Sequence, residues 1–189
     1  MHPTSMENMR LAKTKIPDLG NKITIVDVGG RGTKQIPVRS YQKVFKDIYK
    51  HYYVADINEG PGVTHVMPAP YKLPFKNDSI DLIVSGQTLE HVRNPFKMVA
   101  EMKRILKPNK YMILIAPSTG PNHDDIDCWR FMANSFESIA QECDIKFIES
   151  WITNDAVCDK KSYRFSSRRH IWSDHTFIGQ KYRKYQMGK

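Results

Sequence analysis

The stretch Ile23-Thr-Ile-Val-Asp-Val-Gly-Gly-Arg-Gly-Thr33, followed by Tyr52-Tyr-Val-Ala-Asp-Ile57, constrains this chain more than any other part of it. An apolar run ends at a carboxylate, turns through three glycines, and is answered by a second apolar run that closes on Asp56. Glycine lets the backbone take dihedral angles that side chains forbid and lets a ligand come close to it. An acid at the end of the second strand of such a unit is the usual device for holding the two hydroxyls of a ribose. The pattern describes the nucleoside-binding half of an open α/β sheet. It does not say which nucleoside, because several cofactor classes are held this way.

The rest of the chain alternates between periods of 2 and 3.6, the signature of βα units. A short amphipathic helix is expected over residues 5–15, ahead of the first strand at 23–28. Val38, Tyr41, Val44, Phe45 and Ile48 recur at helical spacing, with Pro37 suited to a first turn. A second strand at 52–57, a Gly-Pro-Gly turn at 60–62, a short third strand near 63–66 and a fourth at 80–85 follow. Asn94-Pro95 is a helix start, an N-cap followed by proline, and Pro108 stops that helix. The unbroken apolar run at 111–116 reads as a central strand buried on both faces. Phe136, Ile139, Ala140 and Cys143 mark a last helix, and 145–152 and 170–179 two closing strands. With 189 residues, no repeats and no linker, one domain is expected, comprising an N-terminal helical extension over 1–20 and a basic insert at 154–170.

Composition narrows the setting. No apolar stretch approaches the ~20 residues that cross a bilayer, so no membrane partner is expected. The N-terminal residues carry no apolar signal core, and Cys128, Cys143 and Cys158 are odd in number without CxxC spacing. That combination suits a reduced, cytoplasmic protein rather than a disulfide framework or a zinc site. The net charge of +9 concentrates from Lys160 onward, with Tyr163, Phe165 and Trp172 among the cations. Basic residues interleaved with aromatics suit single-stranded nucleic acid; a solvated basic edge and tail is the plainer reading and is preferred.

The segment Leu73-Pro-Phe-Lys-Asn-Asp-Ser-Ile-Asp-Leu-Ile-Val-Ser-Gly-Gln-Thr-Leu-Glu-His-Val92 makes the reading specific. With Asn94-Pro95, Glu101-Met-Lys-Arg-Ile-Leu-Lys-Pro108 and Tyr111-Met-Ile-Leu-Ile-Ala-Pro117, it resembles the class I S-adenosylmethionine-dependent methyltransferases, of the type 11 kind, over roughly residues 23–155. The resemblance implies a Rossmann-like, seven-stranded, mostly parallel sheet in the order 3-2-1-4-5-7-6, strand 7 antiparallel, with helices on both faces.

The cofactor it implies is S-adenosyl-L-methionine. Gly29, Gly30, Arg31 and Gly32 would wrap the methionine part, with Asp27 near its ammonium. Asp56 would hold the ribose, with Ile57 and Leu73 against the adenine. Ser85 and Gln87 would lie near the sulfonium. Two departures from the family habit stand out: Arg31 and Thr33 replace glycines, and the stretch 67–72 offers no carboxylate for the adenine. Arg31 either reaches the methionine carboxylate or points to solvent.

The resemblance also implies an acceptor. Methyl transfer is a direct displacement in which positioning does much of the work. A hydroxyl acceptor also needs a base, and His91, His123 and Asp125 are the candidates, with Asp124 between the last two. His123-Asp124-Asp125 are three adjacent residues and make a poor chelate, so no metal is expected. Asp127-Cys-Trp-Arg-Phe131 is similar to an element in methyltransferases that accompany glycan-modifying enzymes. Trp129 and Arg130 there would offer a platform and a fork of donors for a sugar or carboxylated acceptor, or else wedge the loop against the sheet. The expected activity is methyl transfer to a hydroxyl of a small molecule or glycan. The alternative is an RNA-binding protein or RNA methyltransferase on the same fold, acting through Lys160, Lys161, Arg164, Arg168 and Arg169.

Overall fold

The structure is a computed structural model that describes residues 3–32, 41–123, 125–154 and 172–182. Its strands are β1 (Ile23–Val28), β2 (Tyr49–Asp56), β3 (His65–Val66), β4 (Ile80–Gly86), β5 (Leu106–Thr119), β6 (Lys146–Asn154) and β7 (Ser173–Gln180). The α-helices are α1 (Pro3–Lys15), α2 (Pro95–Ile105) and α3 (Ser135–Glu142), and short 3-10 turns occupy Tyr41–Val44 and Leu89–His91. The strands form one sheet in the order β3-β2-β1-β4-β5-β7-β6. β7 runs antiparallel to both β5 and β6, whereas the β1–β2, β1–β4, β2–β3 and β4–β5 pairs are parallel. This is the order and direction that the resemblance implied.

Alternation along the strands sorts side chains into two cores. Val26 and Val28 of β1, with Met112, Leu114 and Ala116 of β5, face α2 and α3 through Val99, Met102, Phe136 and Ile139. Ile23 and Ile25, with Ile113 and Ile115, face α1 and the Tyr41–Val44 turn through Met9, Ala12, Tyr41 and Phe45. Strands apolar on both faces are what a parallel sheet covered on both sides requires. Asn94 caps α2 by accepting the backbone N–H of Lys97 at 3.0 Å, with Pro95 in its first turn, as the sequence indicated.

One stretch departs from expectation. Where apolar spacing indicated a helix running to Ile48, the described part is a 3-10 turn over Tyr41–Val44. Its apolar residues do bury on one face, Tyr41 and Phe45 completely. The chain is then pulled into the sheet early: Tyr49 and Ile48 donate back to the Phe45 carbonyl, while the Ile48 carbonyl accepts from Ile23. β2 therefore starts at Tyr49, three residues before the expected Tyr52, and leaves no room for further helical turns. Residues 33–40, which carry Pro37 and Val38, lie outside the described residues, as does the 155–171 stretch of the basic insert.

Candidate active site

In a parallel sheet the loops leaving the carboxyl ends of the strands gather along one edge, where ligands bind. Here those loops enclose a cavity of about 250 Å³. β1 contributes Val28 and Gly29, and β2 contributes Asp56 and Ile57. Met67, Pro70 and Tyr71 form one wall, and Thr88, His91 and Val92, after β4, form another.

Gly29 is the hinge of this arrangement. Its φ is +80°, a conformation costly for any residue with a Cβ, and its N–H donates to the Ala55 carbonyl at 2.8 Å. A Cβ here would sit 2.1 Å from Thr88 Oγ1. The absence of a side chain is what lets the ends of β1 and β4 approach each other and share the cavity wall. Asp56 stands on the opposite side, its Oδ1 accepting from the Asn58 N–H at 3.0 Å. Arg31 does not reach along the loop: its Nε lies 3.7 Å from Asp56 Oδ1, and its stem lies against Gly60. Gly30 sits over Asp27, and the Gly32 N–H donates to the Pro61 carbonyl at 2.8 Å.

The other residues expected at the cofactor lie deeper. Asp27 is buried below the loop, where its Oδ2 accepts from the Tyr41 N–H at 3.0 Å and the Tyr52 hydroxyl at 2.8 Å. Burial drives its pKa up to about 7 against the pull of those two hydrogen bonds. Ser85 is buried too, its hydroxyl donating to the Val28 carbonyl at 2.8 Å, which ties β4 to β1. Leu73 is a core residue whose N–H donates to Glu101 at 2.7 Å. Gln87 takes a left-handed conformation and donates from Nε2 to buried Asp174 at 2.8 Å. Thr4 of α1 donates to the same carboxylate, so the helix is fastened over this end of the sheet. Ile57 remains partly exposed on the cavity rim.

Past His91 the chemistry changes from apolar to ionisable. His91 Nδ1 lies 2.5 Å from the Ile126 carbonyl, to which it donates. Its Nε2 is 3.7 Å from Glu90 Oε1. The Glu90 carboxyl is wholly enclosed and its pKa is pushed up to about 8 by burial above all, which outweighs the opposing pull of its own backbone N–H and of Arg130, with the charges of Asp127 and Asp174 adding to the rise. The His123 ring packs edge-on against His91 and against Trp172, with centroids 5.0 and 5.1 Å apart. Its Nδ1 lies 2.9 Å from Asp127 Oδ2, within ion-pair range but outside hydrogen-bond geometry, and burial lowers its pKa. Asp125 is exposed and stands apart from this cluster, and Asp124 lies outside the described residues.

Trp129 and Arg130 serve the loop that carries these groups. Arg130 grips the enclosed Asp127 carboxylate with both terminal nitrogens, holding it at a pKa of about 2. Its remaining donors go to the carbonyls of Gly120, Pro121 and Trp129. Every guanidinium nitrogen is thus used inside the segment 120–130, the wedge arrangement rather than an open fork. Trp129, partly exposed, donates from its indole to the Val92 carbonyl at 2.9 Å and borders a separate hollow with Pro95 and Phe96. The basic run from Lys160 to Arg169 lies outside the described residues.

Residues 30–114 match a family model described as a methyltransferase domain. The whole structure superposes on solved methyltransferases. This is a class I methyltransferase fold. An S-adenosylmethionine-dependent methyltransferase of Aquifex aeolicus aligns with a TM-score of 0.59 at 14% identity, over 94% of this chain and 93% of that one. The YcgJ protein of Bacillus subtilis gives 0.69 at 12% identity, over 96% and 100%. A phosphoethanolamine N-methyltransferase of Haemonchus contortus, solved with S-adenosylhomocysteine, gives 0.61 at 15%, over 93% of this chain and 53% of that one. At these identities the methyltransferase likeness is one of fold.

Sequence relatives match only in part. An uncharacterised protein of Methanocaldococcus jannaschii is 33% identical over 85 residues, 45% of this chain and 40% of its own length. An uncharacterised methyltransferase of Mycobacterium marinum is 38% identical over 55 residues, 29% of this chain and 21% of its own length. The matched part thus spans well under half the length of either relative.

Of the residues singled out in the sequence, Gly29, Asp56, Ile57 and His91 line the cavity. Sequence reading missed Thr88, Met67, Tyr71 and Val92 as cavity walls and gave no weight to Glu90. Glu90 was visible only as the residue before a histidine; its enclosure is a tertiary fact with no local signal.

Proposed function

We propose that this chain is an S-adenosylmethionine-dependent methyltransferase whose acceptor is a hydroxyl of a small molecule or glycan. The observation that carries the proposal is the cavity walled by Gly29 and Thr88 together, with Asp56 and His91 also in its lining. The residues fit the cofactor. Asp56 is a carboxylate at the rim suited to a ribose diol, the walls of Met67, Pro70, Tyr71 and Val92 suit an adenine, and Gly29 offers a surface that a Cβ would close. S-adenosylmethionine, when bound, supplies an activated methyl group on sulfur.

The chain's own contribution is placement. Cofactor held by Asp56 and the Gly29 turn extends toward Thr88 and His91, so an acceptor oxygen must approach from the side of the 120–130 loop. In the transfer the oxygen–carbon bond forms as the sulfur–carbon bond breaks, and the hydroxyl proton is lost. Glu90, His91 and His123 are the groups at that end able to handle a proton.

Calorimetric titration with S-adenosylhomocysteine tests the reading. Binding in the micromolar range, about −8 kcal/mol, is expected. Absence of heat at millimolar ligand overturns it.

A further inference from the structure

Among the described residues, five buried side-chain polar atoms have no hydrogen-bond partner, and two of them are the carboxyl oxygens of Glu90. A buried carboxyl with neither oxygen bonded is costly, and a protein keeps it when something outside the chain completes it. His91 closes the group, and donor atoms of Glu90, His91 and His123 all lie within 4.8 Å of one another. We propose that these three residues bind a divalent transition-metal ion beside the methyl-transfer cavity.

The geometry supports an ion over a hydrogen-bond network. His91 Nε2 and Glu90 Oε1 are 3.7 Å apart, close to the edge of about 3.4 Å expected for a tetrahedron with metal–ligand bonds of about 2.1 Å. Small side-chain rotations bring in the third donor. His91 already has Nδ1 on the Ile126 carbonyl, which fixes the ring and turns Nε2 toward Glu90. His123 has the Asp127 carboxylate beside it at 2.9 Å. Carbonyl and carboxylate partners of this kind orient ligating imidazoles and raise their basicity. Ile126 and Asp127 are adjacent, and Arg130 ties Asp127 into its loop, so one rigid segment supports both rings. Asp127 is neutralised by Arg130 and stays out of the ligand set.

Two imidazoles and one carboxylate favour zinc and other first-row ions over magnesium, which prefers oxygen donors. Three protein ligands leave coordination positions open, as catalytic sites do. His91 also lines the cavity, so an open position faces the space in which the acceptor must sit. The role in catalysis rests on the proposed transferase activity. There the ion would hold the acceptor oxygen and lower the pKa of its proton, which passes to solvent as the methyl group arrives. This departs from the expectation of no metal. That expectation considered only the adjacent residues 123–125, whereas the cluster joins positions more than thirty residues apart.

The experiment is a calorimetric titration of chelator-treated full-length protein with Zn²⁺, and separately with Mg²⁺. One equivalent of zinc should bind saturably, at least about tenfold more tightly than magnesium, given the imidazole donors. Co²⁺ should give a visible absorption band on the wild type. E90Q and H123A should each lose the saturable step, while H51A, at an imidazole on β2 away from the cluster, should keep it. Circular dichroism confirms that the variants are folded. Absence of stoichiometric zinc binding, or binding that survives in both E90Q and H123A, overturns the proposal and leaves water as the partner of Glu90. Binding of S-adenosylhomocysteine in the same samples reads out the transferase proposal by itself: zinc without that ligand sinks the methyltransferase reading alone, and that ligand without zinc sinks the metal site alone.

Discussion

The two ends of the cavity are built on opposite plans. At the Asp56 end the walls are mostly apolar, the one carboxylate stands near the surface, and the geometry comes from the turns that directly follow β1 and β2. At the His91 end, four ionisable side chains are crowded behind Ile126, and their geometry comes from a turn after β4 meeting a loop after β5. The first plan stabilises itself locally and leaves its polar group available to a ligand. The second buries charge, which is costly unless each group has a counterpart. Asp127 has one in Arg130; the Glu90 oxygens have no hydrogen-bond partner, with only His91 Nε2 at 3.7 Å. The Asp56 end is thus open and mostly apolar, and the His91 end crowded with buried ionisable groups.

The comparison breaks most visibly at Gly29, which joins the two ends. Gly29→Ala combines a left-handed backbone, about 1–2 kcal/mol, with a Cβ driven into Thr88, a further ~1–3 kcal/mol of overpacking. A loss of stability of about 2–5 kcal/mol is expected in urea unfolding. Adding Thr88→Ala should recover the packing part and leave the backbone part. If Gly29→Ala unfolds at the wild-type midpoint, the close approach of β1 and β4 is not as described.

Arg130→Ala tests the second plan. It leaves the enclosed Asp127 carboxylate without its guanidinium, at a cost of about 2–3 kcal/mol for a charged hydrogen-bonded partner. Thermal unfolding should show the loss, and Arg130→Lys should restore only part of it, since an ammonium cannot reproduce the fork. Affinity for S-adenosylhomocysteine should not change. A large drop in that affinity with unaltered melting would instead make Arg130 a ligand-binding residue.

Asp56→Ala should do the reverse. Removing a rim carboxylate costs little stability, but it should weaken S-adenosylhomocysteine by about 1.5–3 kcal/mol through lost charge-assisted bonds. Calorimetry alongside a melting curve separates the two effects. Equal affinity in mutant and wild type would mean that the nucleoside does not lie against β2.

The difference between the ends also explains what could be read from sequence. The sheet order followed from the motif resemblance, and Asp56 and Gly29 were singled out from patterns spanning a few positions. Arg130 was legible as a fork of donors but not as a fork already filled, because Gly120, Pro121 and Asp127 come to it only when the loop folds. The helix expected up to Ile48 failed for a similar reason. Its apolar period was real, but pairing of β2 with β1 from Tyr49 onward claimed the chain first. Local patterns report faces and turns; they do not report which donors tertiary contacts have already consumed.

The smallest effect per unit of condition comes from the buried carboxyl itself. Glu90 ionises near 4.5 when unfolded and near 8 when folded, because burial penalises its charge. Between those values the unfolded chain has lost the proton and the folded chain retains it. Stability must therefore fall as pH rises through this window, by up to about 1.4 kcal/mol per pH unit. Above the folded value both states are ionised and the loss is complete. Asp27 contributes a fall of the same sign between 3.8 and about 7, for the same reason. It is present in every variant and cancels from a difference. Glu90→Gln cannot ionise, so with chelator present its unfolding free energy should match wild type near pH 5 and exceed it increasingly toward pH 8. Parallel pH profiles for the two proteins would show that Glu90 is ionised and compensated in the ligand-free protein, and would make the two ends of the cavity alike after all.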